Sequence, residues 1–170
     1  MVDYQLSPDT RPGASGKDWV LKIGGRIEET AAIDSILAKV APHAEQLRID
    51  TSLVTRINST GTKLWMTSFA AFRAARPALR MIMESCSPAV VEQLSMIKNF
   101  HCGAQVESIY LPYVCPSCKN DVSHLMPVAT LLAAGIEKLP EPPCSTCGKP
   151  TEFDDMPDEY FSFLKHLPGK

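Results

Sequence analysis

Apolar positions between residues 19 and 99 switch repeatedly between two spacings. Three short apolar runs have the length of strands, and they cover residues 19–23, 47–50 and 79–83. Each run is followed by a stretch in which apolar residues recur every three or four positions. These stretches are predicted helices and cover residues 30–41, 62–76 and 88–99. The alternation predicts an α/β fold with a mostly parallel, mixed sheet and helices packed on it.

Breaker residues set the expected ends of these elements. Gly24 and Gly25 are expected to stop the first strand, Pro42 to close the first helix and Pro77 to close the second. Residues 53–57 are expected to continue from the second strand in an extended or turn conformation.

Both ends of the chain differ in composition from this alternating region. Residues 1–18 are rich in Pro, Gly and polar side chains, which predicts a flexible segment or, over residues 2–6, an edge strand. A second change near His101 divides the rest into an α/β domain, residues 19–105, and a C-terminal module, residues 106–170. In that module we expect a short hairpin around the first cysteine pair and an amphipathic helix beginning at Pro157.

The helix predicted over residues 62–76 has an apolar arc wider than a single core-facing stripe. Part of this surface is therefore expected to bind a partner protein. The residues assigned to this partner-binding surface are Lys63, Met66, Phe69, Ala70 and Arg73.

Two C-x-x-C pairs, Cys115/Cys118 and Cys144/Cys147, stand 25 residues apart in the C-terminal module. Two residues between cysteines allow one tight turn to present both sulfurs to a tetrahedral ion, and Asn120 and Gly148 suit the positive φ of such turns. The pattern predicts one structural Zn²⁺ per chain in a zinc ribbon. Four cysteines close the tetrahedron, which argues against a catalytic zinc, and a redox pair is the alternative interpretation.

Charge and hydropathy narrow the classes of partner. The chain has 170 residues, 17 Lys+Arg and 19 Asp+Glu, so it lacks the general positive charge that attracts nucleic acid. Residues 110–170 carry five Lys and eight Asp+Glu, which makes the C-terminal module the more acidic part. No apolar stretch approaches the length of a membrane-spanning helix, and the expectation is a cytoplasmic protein without membrane insertion.

One stretch resembles a known family. Asn58-Ser59-Thr60-Gly61 lies between a strand ending at Ile49-Asp50 and a helix, and Gly24-Gly25-Arg26-Ile27 follows the first strand. This arrangement resembles the STAS domain of anti-sigma factor antagonists, whose second helix begins with an Asp-Ser-(Ser/Ala/Thr)-Gly motif. The resemblance covers residues 19–100, and Asn58 stands where that family usually has Asp.

The resemblance implies a role for Ser59. In the family this serine accepts phosphate from a Ser/Thr kinase of the anti-sigma type, so Ser59 becomes the candidate switch, with Asn58, Thr60 and Gly61 as its neighbours. Independently of the family, Ser59 or Asn58 is expected to cap the helix. Phosphate at this position would meet the positive end of the helix dipole, with Lys63 nearby in sequence.

The leading functional expectation is a non-enzymatic bacterial regulator that binds a protein partner, with an anti-sigma factor kinase as the candidate. The zinc ribbon would add a second interaction surface or stabilise a homodimer. None of the four histidines lies in a nucleophile pattern, and no phosphate-binding glycine loop is present in the sequence. The alternatives are an adaptor that contacts nucleic acid or the transcription machinery, and a thiol redox sensor.

Overall fold

A computed structural model describes residues 2–167 of the chain. Within these residues the strands are β1 (Val2–Pro8), β2 (Asp18–Ile27), β3 (Gln46–Ile57), β4 (Arg80–Glu84), β5 (Gln105–Val106), β6 (Ser108–Val114), β7 (Asp121–Pro127) and β8 (Glu152–Phe153). The α-helices are α1 (Ile33–Leu37), α2 (Ser59–Ala75), α3 (Pro88–Met96), α4 (Val128–Ala134) and α5 (Pro157–Tyr160). A short 3-10 helix, Ser162–His166, follows α5.

The larger sheet has five strands in the order β1-β2-β3-β4-β5. Strands β2 to β5 are parallel, and β1 pairs antiparallel with β2 at one edge. Helices α1, α2 and α3 each connect two consecutive parallel strands, as parallel pairing requires. The predicted mixed, mostly parallel α/β sheet is confirmed, as is an edge strand near the N-terminus.

One face of the larger sheet forms the main core. Leu21 and Ile23 of β2 and Leu47 and Ile49 of β3 are buried, and they alternate with partly exposed residues on the opposite face. A single contiguous cluster of buried side chains includes these residues and extends into the C-terminal module.

The opposite face of this sheet carries a charged network. Arg48 donates to Glu84 at 2.6 Å and also contacts Glu107, while Arg11 contacts Asp9 at 2.7 Å and Glu84 at 2.9 Å. Hydrogen bonds from Arg11 lower the pKa of Asp9, which is almost fully buried. The network therefore fixes the loop after β1 to the sheet.

The end of β2 differs from the sequence prediction, and the end of β3 agrees with one of the two predicted alternatives. β2 does not stop at Gly24 and Gly25 but continues to Ile27, because both glycines pair with β3 through a register shift. A Cβ at Gly24 would lie 2.8 Å from the Cβ of Leu53, so the two strands approach closely here. β3 is one strand through Ile57, which settles the extended interpretation of residues 53–57.

Three helix boundaries also differ. α1 is only five residues long, and the chain continues to Val40 in turns with hydrogen bonds to the third preceding residue. α2 begins at Ser59 instead of residue 62, and α3 ends at Met96 because Ile97 is extended. No helix among residues 2–167 combines the length and the apolar character needed to cross a membrane.

The second sheet continues directly from the first. Its three strands have the order β7-β6-β8, and only Glu107 separates β6 from β5. The Glu107 N–H donates to the Met83 carbonyl at 2.8 Å, and Cys86 exchanges backbone hydrogen bonds with Ser108 and Tyr110 at 3.0 and 2.8 Å. The predicted hairpin is present as β6 and β7, and its backbone is bonded to the end of β4.

The C-terminal segment packs on α3. The predicted single helix is instead α5 followed by the 3-10 helix, and both Tyr160 and Phe161 are buried together with Phe163 and Leu164. At 100° per residue these four positions lie within an arc of about 160°, so this segment buries one broad face. The segment contacts α3, and the Tyr160 ring also packs against Phe153 of β8.

We predict that Gly61→Ala strongly destabilises the protein. A Cβ at Gly61 would lie 2.0 Å from the Ile27 carbonyl oxygen, and a backbone atom cannot move away as a flexible side chain can. The expected loss is about 3 kcal/mol of unfolding free energy, measured by urea denaturation.

Gly16→Ala is the matched control, because nothing lies within 4 Å of the corresponding Cβ. It should change the unfolding free energy by less than about 1 kcal/mol. Equal stability of the two variants would contradict the close packing of α2 on β2.

Candidate functional site

The two cysteine pairs lie in tight turns of the C-terminal module. Cys115 directly follows β6, and the N–H of Lys119 donates to its carbonyl at 2.9 Å. The second turn repeats this bond, with the Gly148 N–H donating to the Cys144 carbonyl at 2.8 Å. Lys119 and Gly148 have φ of 60° and 69°, so the positive φ expected at Asn120 falls one residue earlier and the one expected at Gly148 is present.

These turns bring four sulfurs together. All four lie within 4.8 Å of one another, and the Cys115–Cys147 and Cys118–Cys144 sulfur pairs are each 3.5 Å apart. Four sulfurs at metal bonds of about 2.3 Å would be separated by about 3.8 Å in a regular tetrahedron. The cluster therefore has the size and the donor set of a metal site.

Backbone dipoles favour thiolates at this cluster. The N–H groups of Cys147 and Thr146 lower the pKa of Cys144 to about 6, and that of Cys118 lowers the pKa of Cys115. At Cys118 the Asn120 N–H acts in the same direction, but local desolvation of the sulfur and its three neighbouring sulfurs outweigh that effect and raise the pKa to about 12. Negative charges at this separation repel one another, and a divalent cation would remove that repulsion.

Side chains around the cluster hold the second turn against the hairpin. The Tyr113 hydroxyl donates to the Pro140 carbonyl at 2.6 Å, and the Thr151 hydroxyl donates to the Pro142 carbonyl at 2.6 Å. Strand β8 then pairs with the end of β6. Cys115 and Cys144 are buried, whereas Cys118 and Cys147 are exposed.

Cys86, Cys102, His101 and His124 lie outside this cluster. Burial raises the pKa of Cys86 to about 12 and that of Cys102 to about 11, so both stay protonated near neutral pH. His101 accepts a hydrogen bond from the Gly103 N–H through Nδ1 at 3.0 Å. These side chains behave as packing and turn residues.

At the start of α2, the residue that caps the helix and the residue with a free hydroxyl are different. Asn58 is the N-cap, and its side-chain oxygen accepts from the Gly61 N–H at 2.7 Å. Asn58 also donates to Glu29 at 3.2 Å. Ser59 is exposed, and its hydroxyl has no hydrogen-bond partner among residues 2–167. Thr60 is likewise exposed, while Gly61 is buried against the end of β2.

Four of the five residues assigned to a partner-binding surface on α2 are at least partly exposed. Lys63 and Ala70 are exposed, and Met66 and Arg73 are half-buried. The expectation that Phe69 belongs to this surface is wrong, because Phe69 is 1% exposed. Its ring lies 4.4 Å from that of buried Trp65, four residues earlier on the same inward face of the helix.

A loop that sequence reasoning did not assign to this surface lies beside it. Arg73 donates to the Gly103 carbonyl at 3.3 Å, and the Cys102 sulfur lies 3.8 Å from the Met66 carbonyl oxygen. Positive φ at Asn99, Cys102 and Gly103 produces the tight turn that brings these residues to α2. Of these three residues, only Gly103 is of a type that indicates a turn in the sequence.

No protein-family model matches the chain, and no curated protein matches it either.

We predict that Cys144→Ser removes a bound divalent metal ion and destabilises the chain. The melting temperature should fall by about 10 °C, because loss of a structural site costs several kcal/mol and about 1 kcal/mol shifts a chain of this size by roughly 2–4 °C. Metal content and thermal unfolding are measured on the same preparation.

Cys102→Ser is the control, because Cys102 is half-buried and lies outside the cluster. It should keep the metal stoichiometry of the unaltered protein. Full metal content in Cys144→Ser would contradict the assignment of the cluster.

Proposed function

We propose that this protein is a non-enzymatic regulatory module that binds a protein partner through α2 and is switched by phosphorylation of Ser59. The observation that carries the proposal is the free, exposed Ser59 hydroxyl next to a capping Asn58. Because the cap is supplied by another side chain, Ser59 is modified without loss of the helix end.

The surroundings of Ser59 suit a phosphate. The first turn of α2 contains no acidic residue, and the helix dipole favours negative charge at this end. Lys63 follows one turn later on the same side of the helix and is exposed, as is Arg56. Asn58 is neutral, so it adds no repulsion to a neighbouring phosphate.

The strand and helix order and the position of the Asn58-Ser59-Thr60-Gly61 segment support a STAS-like domain of the anti-sigma factor antagonist type. In this proposal the partner is an anti-sigma factor Ser/Thr kinase that contacts Lys63, Met66, Ala70 and the adjoining loop. Phosphate on Ser59 adds a charge of about −2 at the edge of that surface and releases the kinase by desolvation and repulsion.

The metal in this proposal is zinc, with a structural role. Four thiolates in a tetrahedron favour Zn²⁺ or iron among the common ions, and no coordination position remains open for substrate. The module supports an interaction function instead, either as a second surface or as a contact in a homodimer. Its acidic composition argues against nucleic acid as the partner.

Ser59→Asp is predicted to reduce capture of the purified candidate kinase about tenfold in a quantitative pulldown, because the added carboxylate stands in for phosphate. Its melting temperature should not fall, since a negative charge at this helix end contributes about 0.3–1 kcal/mol of stability.

Two variants control for this result. Ser59→Ala removes the acceptor without adding charge, and Ser35→Asp adds the same charge at an exposed position of α1. Both should bind within about twofold of the unaltered protein. Unchanged binding of Ser59→Asp would eliminate the switch and leave only a docking module.

The identity of the metal is tested by elemental analysis together with native mass spectrometry of freshly purified protein. We expect one zinc ion per chain and a colourless sample. One iron per chain with visible sulfur-to-iron absorption would contradict zinc and keep the cluster as an electron-transfer centre.

A further inference from the structure

A groove lies between α3 and the C-terminal segment, on the side of α3 away from α2. Its volume is about 510 Å³, and its lining includes Ala89, Glu92, Met96, Asp155, Glu159 and Tyr160. On one side of α3 Gln93 accepts from the Thr62 hydroxyl of α2 at 2.8 Å, and on the other Ser95 donates to the Tyr160 carbonyl at 2.7 Å. The groove and the surface around Ser59 are therefore separate.

The floor of the groove is fixed by hydrogen bonds and packing. Tyr160 is buried, and its hydroxyl donates to the Tyr110 carbonyl of β6 at 2.5 Å. The Ser162 hydroxyl donates to the Ser95 carbonyl at 3.2 Å, which adds a second bond between α3 and the C-terminal segment. The shape of the groove is thus set before any partner binds.

An exposed methionine lines this groove. Met96 in the lining is 72% exposed, and Met156, which follows lining residue Asp155 in the sequence without itself lining the groove, is 62% exposed. These are the two most exposed large hydrophobic side chains among residues 2–167. Methionine adapts its shape to apolar partners, and an exposed apolar side chain in a groove with a polar rim is typical of interaction sites.

The rim of the groove is negative. Glu92, Asp155 and Glu159 supply three carboxylates, no lining residue is basic, and no ion pair within 4.0 Å involves them among residues 2–167. The sequence around the groove strengthens this charge, since residues 152–159 contain five carboxylates and no Lys or Arg.

We propose that this groove docks a basic segment of a partner protein, with an apolar side chain against Met96 and Lys or Arg side chains at the carboxylate rim. The charge of the rim selects this occupant, because it attracts cationic peptide and repels nucleic acid and anionic lipid surfaces. Since the groove lies away from Ser59, its occupant is held independently of the proposed switch.

The test uses the full-length, metal-loaded chain and a defined probe. The probe is a fluorescein-labelled amphipathic peptide of Leu and Lys, and a peptide of the same length with Glu in place of Lys is its control. We expect saturable binding of the Lys peptide in fluorescence polarisation and none of the Glu peptide.

Charge reversal in the groove is compared with the same reversal elsewhere. The double variant Glu92→Lys/Glu159→Lys should weaken binding of the Lys peptide about tenfold. Glu137→Lys/Glu141→Lys changes the net charge equally on the exposed loop before Cys144 and should weaken binding less than about twofold. Glu159 lies in the first turn of α5, where a Lys side chain is unfavourable to the helix end. Glu92→Lys alone, in the middle of α3, therefore serves as the second variant.

The apolar contact has its own pair of variants. Met96→Ser should weaken binding about fivefold, whereas Leu132→Ser, at a 45% exposed position of α4, should leave it unchanged. Equal weakening by the two charge-reversal pairs would reduce the effect to overall charge and overturn the proposal. So would a self-association of the chain that only the groove variants abolish, because the occupant would then be a second copy.

A failure here is distinguishable from a failure of the proposed switch. The Ser59→Asp variant should bind the Lys peptide with unchanged affinity. When Ser59→Asp is combined with the groove substitutions, it should still reduce capture of the kinase. A changed affinity of the Lys peptide for Ser59→Asp, above all a tighter one, would place the cationic peptide beside the added carboxylate on α2 and overturn the groove assignment.

Discussion

The backbone hydrogen bonds that β4 and Cys86 make with the first half of the extended chain over residues 105–114 hold the α/β region and the C-terminal module together. The first residues of this extended chain complete the larger sheet, and the following ones form the central strand of the smaller sheet. Because both sheets share this chain, the first cysteine turn at Cys115 is placed relative to β4 by a few backbone bonds. The continuous core then reinforces this arrangement.

Helix α3 depends on this joined framework. It packs on β3 and β6 at once and receives the C-terminal segment on a further side. Its Gln93 and Ser95 side chains bond to α2 and to Tyr160 respectively, so α3 connects the surface around Ser59 with the C-terminal module. The charged groove exists only where these elements meet, and neither predicted domain contains it alone.

The start of α2 shows how packing and chemistry are divided between neighbouring residues. Gly61 allows the helix to approach the Ile27 carbonyl, Asn58 supplies the cap, and Ser59 takes part in neither. Because Ser59 contributes neither to packing nor to capping, its modification disturbs neither, and this is the physical basis of the proposed switch. At the cysteine cluster the division is different, since Cys115 and Cys144 are buried and also belong to the group of four sulfurs that could hold a metal ion.

The sequence by itself determined the order of strands and helices in the α/β region and the two cysteine pairs, because periodicity, breaker residues and C-x-x-C spacing are local properties. It did not determine the length of β2, which continues through Gly24 and Gly25 because β3 pairs with them, nor the burial of Phe69. The loop at Cys102 and the groove beside Met96 could not be predicted from the sequence either. Only the tertiary structure decided these features, because each depends on contacts between residues far apart in the chain. A local sequence pattern does not show which distant residues a segment will contact.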